Sequence, residues 1–255
     1  MWNYTSIIKR LNKTNMADII MMDETEAGYP VYMLHCGNGT KKVILSAGMH
    51  GDEPAGVEAI LRFLEDGTAA NSCIQEWYNK FQFTILPCIN PSGIEQGTRE
   101  NVSGIDLNRK FGGKDLPEEV RILQRALEGR IFDLYIDFHE DVDGTGFYLY
   151  EVFDKNGNGI GEKIIEAMSL QYPIDSRTEI DGFPNCGGVI CPPLRNTSKT
   201  GGKRIHLKRR NIPLPLYLYF HGTRHCITIE SPSTFPMEDR VEGHLLALKI
   251  TLSLL

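Results

Sequence analysis

Ala47-Gly48-Met49-His50-Gly51-Asp52-Glu53-Pro54-Ala55-Gly56 is the stretch on which the fold turns. Residues 41–46 before it read as a strand, and residues 57–65 after it carry apolar side chains at helical spacing. A turn therefore joins them. His50 closes the strand end, Glu53 opens the helix, and Pro54 suits the first helical position because no N–H is lost there. An imidazole and a carboxylate thus stand side by side, and one further protein ligand would complete the three-ligand, one-open-position pattern of a catalytic zinc site. Taken alone, the pair has a plainer reading. Asp52 and Glu53 would complement a helix N-terminus while His50 makes a local hydrogen bond.

The surrounding pattern alternates. A short amphipathic helix is expected at 7–11, and strand 31–35 is expected to pair with 43–45 as a hairpin across Gly37-Asn38-Gly39. Residues 81–88 read as a buried strand stopped by Asn90-Pro91-Ser92-Gly93. A loop with Gly97-Thr98-Arg99 leads to Ile105-Asp106-Leu107-Asn108-Arg109, and 117–127 reads as a helix. Strand 132–138 ends on His139-Glu140-Asp141, strand 147–153 follows, and a helix is expected at 162–169. The turn at 154–159 lacks the twelfth-position glutamate of an EF-hand, where Ile165 stands instead. Residues 175–203 form a long Gly/Pro-rich connection suited to a site wall. Runs 214–220 and 226–229 read as strands, the second ending on Glu230, and 237–255 reads as a closing helix. This alternation implies an α/β domain with a largely parallel sheet covered on both faces, whose ligands bind at the carboxyl ends of strands. His50, His139 and Glu230 each follow a strand-like run, so three strand ends are expected to converge.

Length and composition are consistent with one domain over 1–255, since 255 residues with 41% hydrophobic content can bury a full core. The net charge of -6, with a single basic run at 203–210, argues against a nucleic-acid partner. Six scattered cysteines suggest free thiols rather than a disulfide framework. No apolar run is long enough to span a bilayer and residues 1–11 lack an export signal, so a cytoplasmic protein without a membrane partner is expected.

Four segments, in this order along the chain, carry a resemblance: His50-Gly51-Asp52-Glu53; Gly97-Thr98-Arg99-Glu100-Asn101 with Gly104 through Arg109; His139 after its apolar strand; and Thr228-Ile229-Glu230. The chain resembles the zinc carboxypeptidase superfamily, in its compact murein-peptide-amidase-like and succinylglutamate desuccinylase/aspartoacylase branches. The resemblance implies a three-layer carboxypeptidase-like fold with a mixed, largely parallel sheet flanked by helices. It also implies one zinc ion per chain on His50, Glu53 and His139, Glu230 as general base, Arg99 at the oxyanion, Asn108 and Arg109 on a substrate carboxylate, and Asp106 orienting His50. The expected activity is hydrolysis of an amide or peptide bond beside a carboxylate-bearing residue of a small molecule or peptide. N-acyl-amino-acid deacylation is the alternative, and a non-catalytic ligand-binding domain the rival of another class. Plainer roles exist for Asn108 in a turn, Arg109 in a surface ion pair and Asp106 as a cap. Tyr217 and Tyr219 are the candidates for a tyrosine over the substrate. Glu140 and Asp141 either make the pocket acidic or face solvent and cap a turn. The remaining histidines, His35, His206, His221, His225 and His244, read as ordinary hydrogen-bonded side chains.

Overall fold

In the computed structural model, which describes residues 3–14, 17–67, 74–154, 157–193 and 210–255, the elements follow in the order α1 (Tyr4–Leu11), β1 (Asp18–Glu24), β2 (Pro30–Cys36), β3 (Lys41–Ser46), α2 (Pro54–Gly67), α3 (Ile74–Lys80), β4 (Phe81–Leu86) and α4 (Pro91–Gln96). After a short 3-10 turn at Leu107–Arg109 come α5 (Glu118–Leu127), β5 (Leu134–Asp141), β6 (Tyr148–Phe153), α6 (Gly161–Met168), β7 (Glu179–Ile180), β8 (Phe183–Pro184), β9 (Val189–Ile190), α7 (Leu214–Phe220), β10 (His225–Pro232) and α8 (Met237–Ser253). The main sheet has eight strands in the order β1-β2-β4-β3-β5-β10-β6-β9. Its centre, β4-β3-β5-β10, is parallel, and antiparallel pairs flank it. Helices α1, α2, α6 and α8 cover one face and α5 and α7 the other, giving the expected three layers.

Strand β5 is buried along nearly its whole length, as a central strand covered on both faces must be. Its alternate side chains feed two cores: Ile136 and Phe138 pack under α2 and α8, while Tyr135 lies on the α5/α7 side.

Three expectations are corrected. Residues 31–35 and 43–45 do not form a hairpin; β4 lies between β2 and β3. The connection passes under the start of β4, where Asn38 N–H donates to Tyr78 O and Gly39 N–H to Phe81 O. A Cβ at Gly39 would lie 2.0 Å from the Lys80 carbonyl carbon, so only glycine permits this approach. The run 214–220 is a helix, not a strand. Its prolines occupy the N-cap and first turn, where a missing N–H costs nothing, and Leu214 N–H is capped by Asn108 Oδ1 at 3.0 Å. Finally, Asn90 does not merely stop β4: it caps α4, accepting from Gly93 N–H at 2.9 Å. Cys73, His206 and most of the basic run, 203–209, lie outside the described residues.

Candidate metal centre

His50 sits in the turn between β3 and α2, and Glu53 immediately precedes the helix. Gly51 lets this turn press on α4, because a Cβ there would fall 1.8 Å from the Gly93 carbonyl carbon. His139 lies near the end of β5, and all three side chains are buried. Their potential ligand atoms lie within 4.8 Å of one another. His50 Nδ1 is 2.6 Å from Glu53 Oε1, and His139 Nδ1 is 2.8 Å from Glu53 Oε2.

The other nitrogen of each ring meets a carboxylate. His50 Nε2 is 3.2 Å from Asp106 Oδ1, and His139 Nε2 is 3.0 Å from Asp137 Oδ2. With Nε2–H donated in this way, both Nδ1 atoms present lone pairs to the Glu53 carboxylate. Lone pairs of three groups then converge: Arg99 Nη1 reaches the His50 Nδ1 and Glu53 Oε1 pair, while the contact between His139 Nδ1 and Glu53 Oε2 still calls for a proton or a cation. Two imidazoles and one carboxylate are a donor set suited to zinc.

Electrostatics agree with this arrangement. Burial by itself would raise the Glu53 pKa, but the His139 and His50 imidazoles outweigh it and hold the carboxyl at about 2. Asp106 is likewise lowered, with its His50 hydrogen bond and the nearby Arg99 overcoming burial. His139 is raised, because Asp137 and Glu53 together overcome its burial.

Glu230 is the register partner of His139 on β10, so the two side chains emerge together on one face. Burial lifts its pKa to about 8; His139 opposes the shift, and Glu53, Asp141 and Asp137 add to it. Across β10 from His139, the register partner of Glu230 is Tyr148. Tyr217 instead lies against His221 with ring centroids 4.1 Å apart, Tyr219 meets Phe220, and both pack on the α5/α7-side core, so Tyr148 and not either candidate tyrosine is the one in register with Glu230.

Arg99 places its guanidinium over the centre. Nη1 is 3.2 Å from His50 Nδ1 and 3.3 Å from Glu53 Oε1, and Nη2 donates to Asp106 Oδ2 at 3.1 Å. The loop carrying it is held by Asn101, whose Oδ1 accepts from Ser103 and Ile105 N–H and whose Nδ2 donates to Glu119. Asp106 also caps the 3-10 turn through Asn108 N–H, so its plainer role and its role toward His50 coexist. Asn108 is buried, and its Oδ1 accepts from Leu214 N–H at the start of α7. Arg109 is exposed and contacts only its neighbour's carbonyl, Asn108 O, at 3.1 Å among the described hydrogen bonds.

Asp137, Tyr148 and Arg177 escape the sequence reading. Asp137 is two residues before His139, so strand alternation puts both on one face, and that spacing was the available signal. It is fully buried and accepts from Ser46 Oγ at 2.5 Å, with Tyr135 Oη 2.6 Å from the same hydroxyl. Asp141 accepts from Tyr148 Oη at 3.0 Å and from Arg177 Nη2 at 2.6 Å, and it caps the next turn through Asp143 N–H. Glu140 is buried against Arg240, so neither acid adds an unpaired negative charge to the pocket. His35, His221, His225 and His244 each make an ordinary hydrogen bond, as expected.

Known proteins share this architecture. A Shewanella amazonensis protein, a candidate metallopeptidase, superposes with a TM-score of 0.79 at 22% identity, covering 99% of this chain and 92% of its own. A Pseudomonas aeruginosa metallo-carboxypeptidase in complex with (2-guanidinoethylmercapto)succinic acid gives 0.67 at 15% identity, over 98% of this chain and 68% of its own. In sequence, human cytosolic carboxypeptidase 2 is 30% identical over 148 residues, 51% of this chain. The chain spans only 16% of that relative's length. The family model for the succinylglutamate desuccinylase/aspartoacylase catalytic domain matches residues 39–181, which include His50, Glu53, Arg99, Asp106 and His139. By that match the chain belongs to the desuccinylase/aspartoacylase branch of the zinc carboxypeptidase-like superfamily.

Proposed function

We propose that the chain is a zinc-dependent hydrolase of an amide or peptide bond next to a carboxylate-bearing residue, as in a metallocarboxypeptidase or peptide amidase. The convergence of His50, Glu53 and His139, with Glu230 in register beside His139, carries this reading. Those three residues would hold the zinc ion, which when bound supplies Lewis-acid chemistry toward water and a carbonyl. Glu230 would accept a proton from the attacking water and deliver it to the leaving nitrogen, and its buried setting makes its carboxylate a stronger base. Arg99 would stabilise negative charge on the carbonyl oxygen as it develops. Arg109, exposed and planar, would grip a substrate carboxylate through its fork, with Asn108 Nδ2 beside it. Asp106 and Asp137 would hold the two imidazoles in one tautomer.

The substrate would be a small molecule or peptide, without nucleic-acid or membrane partners. The Pseudomonas relative's succinic-acid ligand supports a carboxylate-bearing class. No helix among the described residues is long and apolar enough to cross a membrane. A cytoplasmic location fits the free cysteines, three buried and two exposed among the described residues. The family match favours a second reading, N-acyl-amino-acid deacylation with the same residues. A non-catalytic binding domain has no use for a base at Glu230. The deciding experiment is a panel of peptides and N-acyl amino acids incubated with and without chelator and read by mass spectrometry. Chelator-sensitive cleavage is expected, and its absence from both substrate classes would refute the hydrolase reading.

A further inference from the structure

A buried ion pair lies behind the sheet, among residues with no part in the chemistry above. Glu140 follows His139 directly and therefore points to the opposite face. There its side chain is fully buried; one oxygen accepts from Ala55 N–H at 2.7 Å, and the other is held by Arg240 Nη1 of α8. Its backbone N–H donates to Glu53 Oε2 at 3.1 Å. One residue thus ties together β5, the N-terminus of α2 and the first turn of α8. Its register partner Ser231, next to Glu230, meets the same helix one turn later, with Oγ 3.0 Å from His244 Nε2.

The pair is poorly suited to serve stability alone. Burying a carboxylate and a guanidinium is costly, and apolar residues of similar volume often stabilise a fold as well or better. Arg240 Nε is buried without a partner among the described residues, so the guanidinium is not fully satisfied. Arg62 on α2 already bridges to Glu238 and Glu242 on α8 in a more exposed setting. Unlike that bridge, Glu140 acts where the helix preceded by Glu53 meets the strand bearing His139.

We propose that Glu140 and Arg240 are positioning residues: their pairing locks the start of α2 to the end of β5 and so sets the spacing of Glu53 from His139 for a metal ion. The inference rests on the metal-dependent reading above. The test titrates metal-free full-length protein with Zn(II) against a chelating dye and, separately, records the visible absorption band of the Co(II) form. A Glu140→Gln/Arg240→Gln double variant removes both charges yet keeps an acceptor for Ala55 N–H. It is expected to bind Zn(II) about 10–100-fold more weakly, with a changed Co(II) band. Arg62→Gln, which weakens an α2/α8 bridge elsewhere, should bind as the parent does. Arg240→Lys, which keeps the charge but loses the fork, should bind at least about threefold more weakly. It decides alone if the double variant does not fold. Parental affinity and an unchanged Co(II) band in the folded variants, or an equal loss in Arg62→Gln, would overturn the positioning role. A parent that holds no metal overturns the functional reading together with this one, whereas a metal-binding parent with indifferent variants overturns this one only.

Discussion

The two imidazoles of the centre are supported in opposite ways. His139 stands on a central strand, and its carboxylate partner Asp137 is two residues away on the same strand, fully buried and backed by Ser46 and Tyr135. His50 stands in a turn, and its partner Asp106 arrives from a loop 56 residues on, partly exposed and shared with Arg99. The strand-built half is held by packing on every side; the loop-built half is held by a few polar contacts and opens to solvent. Under the proposed hydrolase reading, the first half would keep metal and base in place and the second would receive the substrate.

The largest effect should come from the strand-built half. Glu230→Gln preserves shape but cannot accept the proton, and it is expected to lower turnover about 10²–10⁴-fold while the protein keeps its metal. Parental turnover in metal-loaded variant protein would remove Glu230 from the chemistry.

The carboxylates test the contrast itself. Asp137→Asn should weaken Zn(II) binding by about 100-fold and Asp106→Asn by about 10-fold, because only the first leaves a fully buried network mismatched. Competition with a chelating dye measures both. Equal losses would show that burial does not separate the two halves.

The smallest effect belongs to the exposed edge. Arg109→Lys should cost about tenfold in kcat/KM for a carboxylate substrate, and little for its amide, since one charge-assisted hydrogen bond is weakened. Arg99→Lys should depress kcat for both, because charge develops on the carbonyl oxygen in either case. A matched acid and amide pair to which the two variants respond in the same ratio would erase the distinction between Arg99 and Arg109.

How much of this was legible in the residues differs by region. The strand-to-helix turn at His50–Glu53 is a local event, so apolar spacing and Pro54 place both side chains. Asp137 was within reach of the same rule, because period-two alternation puts it on the face of His139. Helix α4 had signals too, with Asn90 and Pro91 at its start and left-handed Gly97 at its end, but six residues give too short a period to read.

The residues alone were enough for the strand-to-helix turn carrying His50 and Glu53, for most buried runs, and for the alternation of strands and helices, because each of these depends on neighbours within a few positions. That His139 joins His50 and Glu53 is a tertiary fact. Tertiary structure decided the rest. The insertion of β4 between β2 and β3 brings the β2–β3 connection against the backbone at Lys80, an approach that Gly39 permits, and local patterning is silent about such distant partners. A seven-residue apolar run such as 214–220 suits strand and helix alike until Asn108 caps its first N–H. Glu140 and Asp141 are adjacent acids with indistinguishable local patterns; the pleat sends one to Arg240 behind the sheet and the other to Arg177 in front.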